Sequence, residues 1–222
     1  MFVGTYRNTS LFSKNTQTCP VMLGPILICH SKSEPSPNEL CGKLTASCEG
    51  LGKYVKVVGA DGEKSIHNQC LNHFQSALLL LCSKHVKDNV SDYITKNLSM
   101  NEKEKMSILD NLFGPEGVTD SESPSVFRSR IKTVYESLAT QYRGEGKKLV
   151  DYLKQYKESI LEHHVSKFAV MNAKICIGGT KFYNNASESI NKMLRSWMQG
   201  KLDIYKLTQE YESFINNQEE QV

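Results

Sequence analysis

The sequence predicts an α/β fold in which strands come first and helices follow. Short apolar runs bounded by turn residues occupy the first part of the chain, which is the pattern of buried strands. From Ser83 onward, apolar residues recur at helical spacing instead. Polar residues that could do chemistry directly follow two of the apolar runs. This order predicts a small sheet near the start of the chain that is covered by a long helical stretch.

Four strands are predicted, and we expect them to share one mixed sheet. The second run contains Gly24-Pro25, which predicts a bulge or an edge position. Short helices are expected around Leu40–Leu51 and over Lys64–Phe74. The predicted strands are Phe2–Tyr6, Val21–Cys29, Tyr54–Ala60 and Ala77–Leu81.

The rest of the chain is predicted to be helical. Residues 101–170 form a helical insertion, because apolar residues from Phe127 to Tyr142 follow a clean amphipathic stripe. Residues 171–222 are assigned to C-terminal helices, and residues 2–100 to the strands and helices of the sheet. The whole chain, 1–222, is interpreted as one domain.

The composition is that of a globular protein. Hydrophobic residues make up 39% of the 222 residues, charged residues 23%, and the net charge is +3. A charge this small does not indicate nucleic-acid binding by itself, although it leaves room for a local basic patch. No apolar run approaches the roughly 18 residues of a membrane span, so no membrane partner is expected.

The cysteine pattern predicts reduced thiols. There are seven cysteines, an odd number, and their spacing shows no disulfide framework. The N-terminal residues carry no signal-peptide pattern. Both observations favour the cytosol or the nucleus, with most cysteines buried as small hydrophobes.

The stretch Asn184–Trp197 is predicted to be a helix with two distinct faces. At about 100° per residue, its apolar residues share one face, while Asn184, Glu188, Asn191 and Arg195 line the other. One interpretation is a solvated polar face, which is the usual role of such a stripe. The other is a metal or phosphate site, because a carboxylate flanked by amides offers hard oxygen ligands.

Two further positions allow alternative interpretations. Asp61 follows a predicted strand and is either an ordinary turn residue or part of a site at the end of that strand. Cys82 and His85 have half of a zinc spacing, or are a buried cysteine and a histidine at a helix start. The candidates for the other zinc ligands are distant in sequence: His163, His164 and Cys176.

Four motifs follow one another along the chain: PVMLGPILICH, VGADGEKS, ALLLLCSKHVKDNV and YNNASESINKMLR. Together they resemble the Mutator-like transposases, which are DDE enzymes with a ribonuclease-H-like core. The resemblance covers nearly the whole chain, although each motif alone is weak. It implies a ribonuclease-H-like mixed sheet, a helical insertion before the last motif, and C-terminal helices.

The resemblance implies roles for individual residues. Asp61 matches the second acid of the DDE set and Glu188 the third, so both are expected to be catalytic and to bind Mg²⁺ or Mn²⁺. Cys82 and His85 match a Cys-x-x-His motif of the family, which implies zinc or a structural role. In this family the acids hold two divalent ions, which activate the attacking oxygen and stabilise the leaving one.

The chain departs from the family pattern at its first acid. The family's first strand, which carries that aspartate, is missing before Phe2–Tyr6, and no aspartate precedes Asp61. Ala60 also replaces the threonine that is usual there. We therefore interpret the chain as a partial core lacking its first strand, and expect metal binding at the acids to be weak or absent.

This departure favours a domesticated domain that derives from a transposable element and lies in the nucleus. We expect it to be catalytically inactive and to bind DNA weakly, without sequence preference. The basic residues expected at the phosphate backbone are Lys192, Arg195 and Lys201. The alternatives are part of an active DDE transposase that performs metal-dependent strand cleavage and transfer, a co-opted protein-binding module, and a remnant without function. A remnant is expected in the cytoplasm instead of the nucleus.

Overall fold

The computed structural model describes residues 2–8, 11, 14, 19–27, 35–62, 64–175 and 179–197, together with residues 205, 208–209, 211–213 and 216. This part of the chain is mostly helical and contains four short strands. The α/β class predicted from the sequence is confirmed at this level. The elements also follow the predicted order, with the strands before the long helical stretch.

The first two strands form an antiparallel pair. Strand β1 (Phe2–Arg7) pairs with β2 (Val21–Leu27), and the register shifts between Val3 and Thr5. Val3 lies opposite Ile26 and Thr5 opposite Leu23, so β2 carries one more residue than β1 over this interval. The extra residue falls at Gly24-Pro25, which confirms the bulge predicted there.

The other two strands are parallel neighbours. Strand β3 (Val57–Ala60) pairs with β4 (Leu78–Leu81) in register from end to end. Alternate leucines of β4 enter different cores: Leu79 and Leu81 join the larger one, and Leu80 packs with residues of α9. Burial on both faces explains why this strand is an unbroken leucine run.

The expectation of a single sheet is wrong, because the strands form two separate two-stranded sheets. Among the described residues, neither the free edge of β1 nor that of β3 has a strand beside it. Hydrogen bonding along a sheet requires adjacent partners, and the described residues provide no strand that joins the two pairs. The predicted third strand also began too early, because Tyr54 lies in a short helix and is exposed.

Helices account for the rest of the described chain. Residues 101–170 are helical apart from short connections and a 3₁₀ turn at Val118–Asp120, as predicted. A π-helical turn at Leu153–Lys157 joins α7 to α8, and another at Leu161–Val165 leads from α8 towards α9. The helices are α1 (Pro35–Ser47), α2 (Leu51–Tyr54), α3 (Lys64–His73), α4 (Ser83–Asn97), α5 (Glu102–Phe113), α6 (Pro124–Gln141), α7 (Arg143–Tyr152), α8 (Glu158–Ile160), α9 (Lys167–Asn172) and α10 (Asn185–Trp197).

Side chains near the helix starts account for two of the helix boundaries. Asn101 accepts a hydrogen bond from the backbone N–H of Glu104, and the Glu104 carboxylate accepts one from the Asn101 N–H. This reciprocal capping box fixes the start of α5. The Ser123 hydroxyl caps α6, and Pro124 occupies its first turn, where a missing N–H costs nothing.

The main core lies where the helices meet the parallel strands. Phe127 of α6 is fully buried and packs edge-on against Phe168 of α9, with ring centroids 6.4 Å apart. Residues of α4 and α5 belong to the same apolar cluster as these two rings and as Leu79 and Leu81 of β4. The parallel pair is therefore anchored by the largest apolar cluster in the described chain.

Two cysteines lie close together where α1 packs against α3. The sulfur atoms of Cys41 and Cys70 are 3.7 Å apart, and none of the five cysteines in the described part of the chain forms a disulfide. The hydrogen bond between the two thiols lowers the pKa of Cys41 and raises the pKa of Cys70 well above its usual value; burial raises both. Cys41 is therefore the thiol of the pair that ionises first.

We expect oxidised glutathione to convert this pair into a disulfide that stabilises the protein. Closing a loop between residues 29 positions apart should add about 3–4 kcal/mol to the free energy of unfolding. Urea unfolding with and without reductant measures the gain, with Cys41→Ser as the control that abolishes it. Oxidation that crosslinks the exposed Cys48 instead would contradict the prediction.

Candidate functional site

The candidate site lies at the carboxyl end of the parallel strand pair. Ala60 is the partner of Leu81, and the Cys82 N–H donates to the Ala60 carbonyl at 2.8 Å. The residues that follow the two strands, Asp61 and Cys82, therefore start from neighbouring positions. Asp61 is partly buried and begins a turn in which Gly62 has a φ of +110°. The turn thus takes the chain away through a conformation that only glycine adopts easily.

Helix α4 starts directly after β4 and carries the histidine of the site. Cys82 is fully buried, and its carbonyl accepts the N–H of Val86 at 3.1 Å. His85 stands in the first turn, with about a third of its side chain exposed. The Cys-x-x-His pair is therefore split between the core and the site: the cysteine points inward and the histidine stays accessible.

The chain that leads into α10 is held against both strands and α4. The Ser83 N–H donates to the carbonyl of Phe182 at 2.9 Å. The Phe182 ring lies over Gly59 of β3, where a Cβ atom would come within 2.2 Å of the ring. Glycine at this position therefore allows the segment before α10 to lie on the strand.

Helix α10 also contacts the antiparallel pair. The hydroxyls of Thr5 on β1 and Ser187 on α10 are 2.6 Å apart. The backbone N–H of Glu188 bonds to the carbonyl of Asn184 at 3.0 Å, which places Glu188 in the first turn of the helix. The first turn of α10 therefore bridges the two sheets that lack a common strand.

The carboxylate of Glu188 faces His85. The distance from Glu188 Oε1 to His85 Nε2 is 3.4 Å, which exceeds the usual range of a charge-assisted hydrogen bond. About 40% of the Glu188 side chain is exposed, although Oε1 itself is buried. The contact brings two residues of separate sequence motifs to one point at the end of the strand pair.

Several buried polar atoms around this contact have no hydrogen-bond partner. They are His85 Nδ1, Glu188 Oε1, and the amide oxygens of Asn184 and Asn191. Three of these residues lie at positions 184, 188 and 191 of one helical face. Buried polar groups are normally satisfied, so such a cluster indicates a site for a ligand, an ion or a water. Of the two interpretations of this face, the solvated stripe does not account for these buried atoms, and Glu188 contacts His85 of α4.

The proposed zinc partners do not gather around Cys82 and His85. His163 is exposed, as predicted for one of two adjacent histidines, while Nδ1 of His164 donates to the carbonyl of Leu79 at 3.0 Å. Cys176 lies outside the described residues. In the described chain, no group of three or more His, Cys, Asp or Glu side chains could hold a metal ion. Cys82 thus fits the interpretation of a buried hydrophobe.

Of the basic residues predicted at a phosphate backbone, only Lys192 has a described side chain. Lys192 is exposed and lies one helical turn beyond Glu188. Arg195 belongs to α10, but its side chain is not among the parts that the structure describes. Lys201 lies wholly outside the described residues. One cation is therefore placed beside the candidate site.

Three contacts that build the site were not predicted from the sequence. His164 supports β4, Phe182 covers Gly59, and Thr5 pairs with Ser187. The only sequence signal for any of them is the glycine inside a strand, which often marks a close approach of other atoms. The other two join residues more than eighty positions apart, so no local pattern points to them.

Comparisons with protein-family models, with curated proteins and with solved structures found no match. The class of protein is therefore defined by the fold and the site alone: a mostly helical α/β chain with a carboxylate–histidine contact at the end of a parallel strand pair. Within the described residues, no helix is both long and apolar enough to span a membrane.

Proposed function

We propose that this chain is a transposase-derived domain of the Mutator-like DDE type that binds DNA without cutting it. The observation that supports this most is the position of Glu188. Its carboxylate comes from helix α10 and meets His85 at the carboxyl end of the parallel strands. Asp61 starts from that same end. Sites in α/β sheets are commonly built at this edge.

The order of the elements supports the same proposal. An antiparallel pair precedes a parallel pair, a helical stretch follows, and α10 then contacts β1. A ribonuclease-H-like core that lacks its first strand would leave such a gap between the two pairs. The separation into two sheets thus agrees with the missing strand inferred from the resemblance.

The residues at the site offer some ligands for a divalent ion, but fewer than a complete set of three acids would. Mg²⁺ and Mn²⁺ prefer carboxylate and amide oxygens, which Glu188 and its asparagine neighbours supply. An ion bound there would supply positive charge to an approaching phosphate. The chain's own contribution is to orient these oxygens on a helix that is fixed to β1 and α4.

DNA binding is proposed to occur through the phosphate backbone beside this site. Of the basic residues predicted to contact phosphate, Lys192 has a described side chain, and the net charge of the whole chain is only +3. Few phosphate contacts can therefore form, which makes binding weak, independent of base sequence and sensitive to salt.

We expect Lys192→Ala to weaken duplex binding equally for unrelated sequences. Losing one phosphate contact should reduce the slope of log affinity against log salt concentration by about one. Fluorescence anisotropy with two labelled duplexes of different sequence, over a series of NaCl concentrations, measures both effects.

Lys96→Ala is the matched control, because Lys96 is equally exposed but already pairs with Asp92 at 2.6 Å on the far end of α4. It should leave the affinity and the slope unchanged. The proposed function is wrong if the wild-type chain shows no salt-dependent binding, or if Lys96→Ala and Lys192→Ala have equal effects.

A further inference from the structure

We infer that the open edge of β3 is a docking surface for one extended apolar segment of another polypeptide, which joins the parallel pair as a third strand. Recognition by strand addition draws its affinity from backbone hydrogen bonds and its selectivity from the side chains on either face. The inference does not rest on the proposed DNA binding, because it concerns a strand edge and none of the basic residues assigned to phosphate.

Two hydrogen bonds show which way the backbone groups of β3 point. The carbonyls of Lys56 and Ala60 accept the N–H groups of Leu78 and Cys82, at 2.9 and 2.8 Å. In a parallel pair, alternate residues of one strand bond to the same neighbour. The even-numbered residues of this stretch therefore direct their backbone groups at β4, and the odd-numbered residues direct theirs away from it.

The outward-pointing groups belong to Val57 and Gly59, and they pair with no other backbone group in the part of the chain that the structure describes. Gly59 is exposed, and Val57 and Val58 are only partly buried, although Leu79–Leu81 in the neighbouring strand are buried. Unpaired backbone groups along a sheet edge are a template for a further strand. The edge of β3 thus offers two N–H groups and two carbonyls to a partner.

The opposite edge of the pair, that of β4, is covered. By the same alternation, the carbonyl of Leu79 points away from β3, and it accepts a hydrogen bond from Nδ1 of His164 at 3.0 Å. The π-helical turn Leu161–Val165, which carries this histidine, packs along the strand. The β3 side is therefore where a third strand can join the pair.

The two faces of β3 define the side chains of the partner. Val58 packs against the main core on one face, and Val57 packs beside Phe182 and Leu80 on the other. Both faces are apolar, as they are around the unbroken leucine run of β4. A strand added at this edge continues both faces, so a parallel-type strand without polar alternation fits it. The expected partner segment is extended, uncharged and apolar at consecutive positions.

The surroundings of this edge favour a single segment over a second folded copy of the chain. The Phe182 ring lies over Gly59, and Ser187, five positions later, contacts Thr5 of β1 at 2.6 Å. Five residues span at most about 18 Å even when fully extended, so the antiparallel pair lies close to β3. One added strand needs only about 5 Å beside its neighbour, whereas a second copy would bring its own helices with it.

The first test is a fluorescence anisotropy titration of the whole chain with a labelled peptide. The peptide carries the sequence of Leu78–Leu81 between pairs of lysines, because this strand already pairs with β3 on its other side. We expect saturable binding. The same peptide N-methylated at all of its leucines is the control for non-specific adhesion, and it should bind about tenfold more weakly because it lacks the N–H donors.

Val57→Pro separates the open edge from the pairing with β4. Proline removes the outward N–H of residue 57 and leaves the hydrogen bonds between β3 and β4 in place. It should lower the affinity for the peptide about tenfold, because a hydrogen bond is lost and its partner is left unpaired. Val57→Thr keeps the N–H and a branched side chain, so this matched control should bind like the wild type. Circular dichroism during heating checks that both variants are folded.

Amide hydrogen exchange reads the edge without any substitution. In the chain alone, the amides of Val58 and Ala60 should be protected, and those of Val57 and Gly59 should exchange readily. The peptide should slow exchange at the latter two about tenfold or more, since it pairs with them.

Three results would overturn the inference. The first is protection of Val57 and Gly59 without peptide, because another segment of the chain or a second copy would then cover the edge. The second is peptide binding that leaves their exchange unchanged, and the third is equal affinity of Val57→Pro and Val57→Thr. DNA binding should be the same in both variants, so its salt dependence tests the proposed function separately.

Discussion

Replacing Gly146 with alanine should lower the free energy of unfolding by about 2–3 kcal/mol, because the added methyl group has no room. A Cβ atom at this position would come within 1.9 Å of the carbonyl oxygen of Leu138. The obstacle is backbone from the last turns of α6, so no side-chain rotation can relieve it. Either α7 must shift away from α6 or the turn at Tyr142 must open.

Gly144→Ala is the matched control for this substitution. Gly144 lies in the same helix, two residues earlier, and an added Cβ would meet nothing within 4 Å. Alanine is the better helix former, so this variant should gain about 0.5 kcal/mol instead. Urea unfolding of both variants beside the wild type gives the two changes. Equal effects at positions 144 and 146 would show that the close approach of α7 to α6 does not constrain the fold.

The parts of the fold that were predicted correctly depend on local patterns. The leucine run of β4 and the amphipathic stripe that begins at Phe127 are each visible within a dozen residues. The bulge at Gly24-Pro25 follows from the backbone chemistry of these two residues. Such features need no knowledge of which segments meet in space.

The single sheet was predicted wrongly because strand pairing is not a local property. The runs at Val57 and Leu78 are recognisable as strands from the sequence. Which strand each pairs with depends on contacts between distant segments, and β3 pairs with β4 rather than with β1. For the same reason, the sequence allows two interpretations of the polar face of α10, a solvated surface or a binding site. Only the packing of α10 against β1 and α4 turns Glu188 towards His85.

The sequence pointed to some of the site residues but not to their partners. Asp61, His85 and Glu188 were singled out, since each follows a strand or lies on a polar helix face. The contact between His85 and Glu188 joins residues from distant motifs, which periodicity does not reveal. Asn191 acquires a role only because its amide oxygen is buried without a partner.

The purified chain should neither nick DNA nor join DNA strands in Mg²⁺ or Mn²⁺. In-line attack on a phosphodiester of this type uses two ions about 3.5–4 Å apart, one on the attacking oxygen and one on the leaving oxygen. A bridging carboxylate normally holds such a pair, and no aspartate precedes Asp61 in this chain. Around Glu188 the structure shows one carboxylate, with a histidine and neutral amide oxygens beside it.

Loss of the second ion should be decisive for the rate. Electrostatic stabilisation of the leaving oxygen is worth several kcal/mol, so its absence costs on the order of a thousandfold or more. The measurement is a nicking and strand-transfer assay with supercoiled plasmid in Mn²⁺, run beside a Glu188→Gln control. Cleavage by the wild-type chain that disappears in the control would contradict the prediction and favour the alternative, part of an active DDE transposase. Equal background in both samples is the expected result, because a carboxylate that took part in the chemistry could not be neutralised without changing the rate.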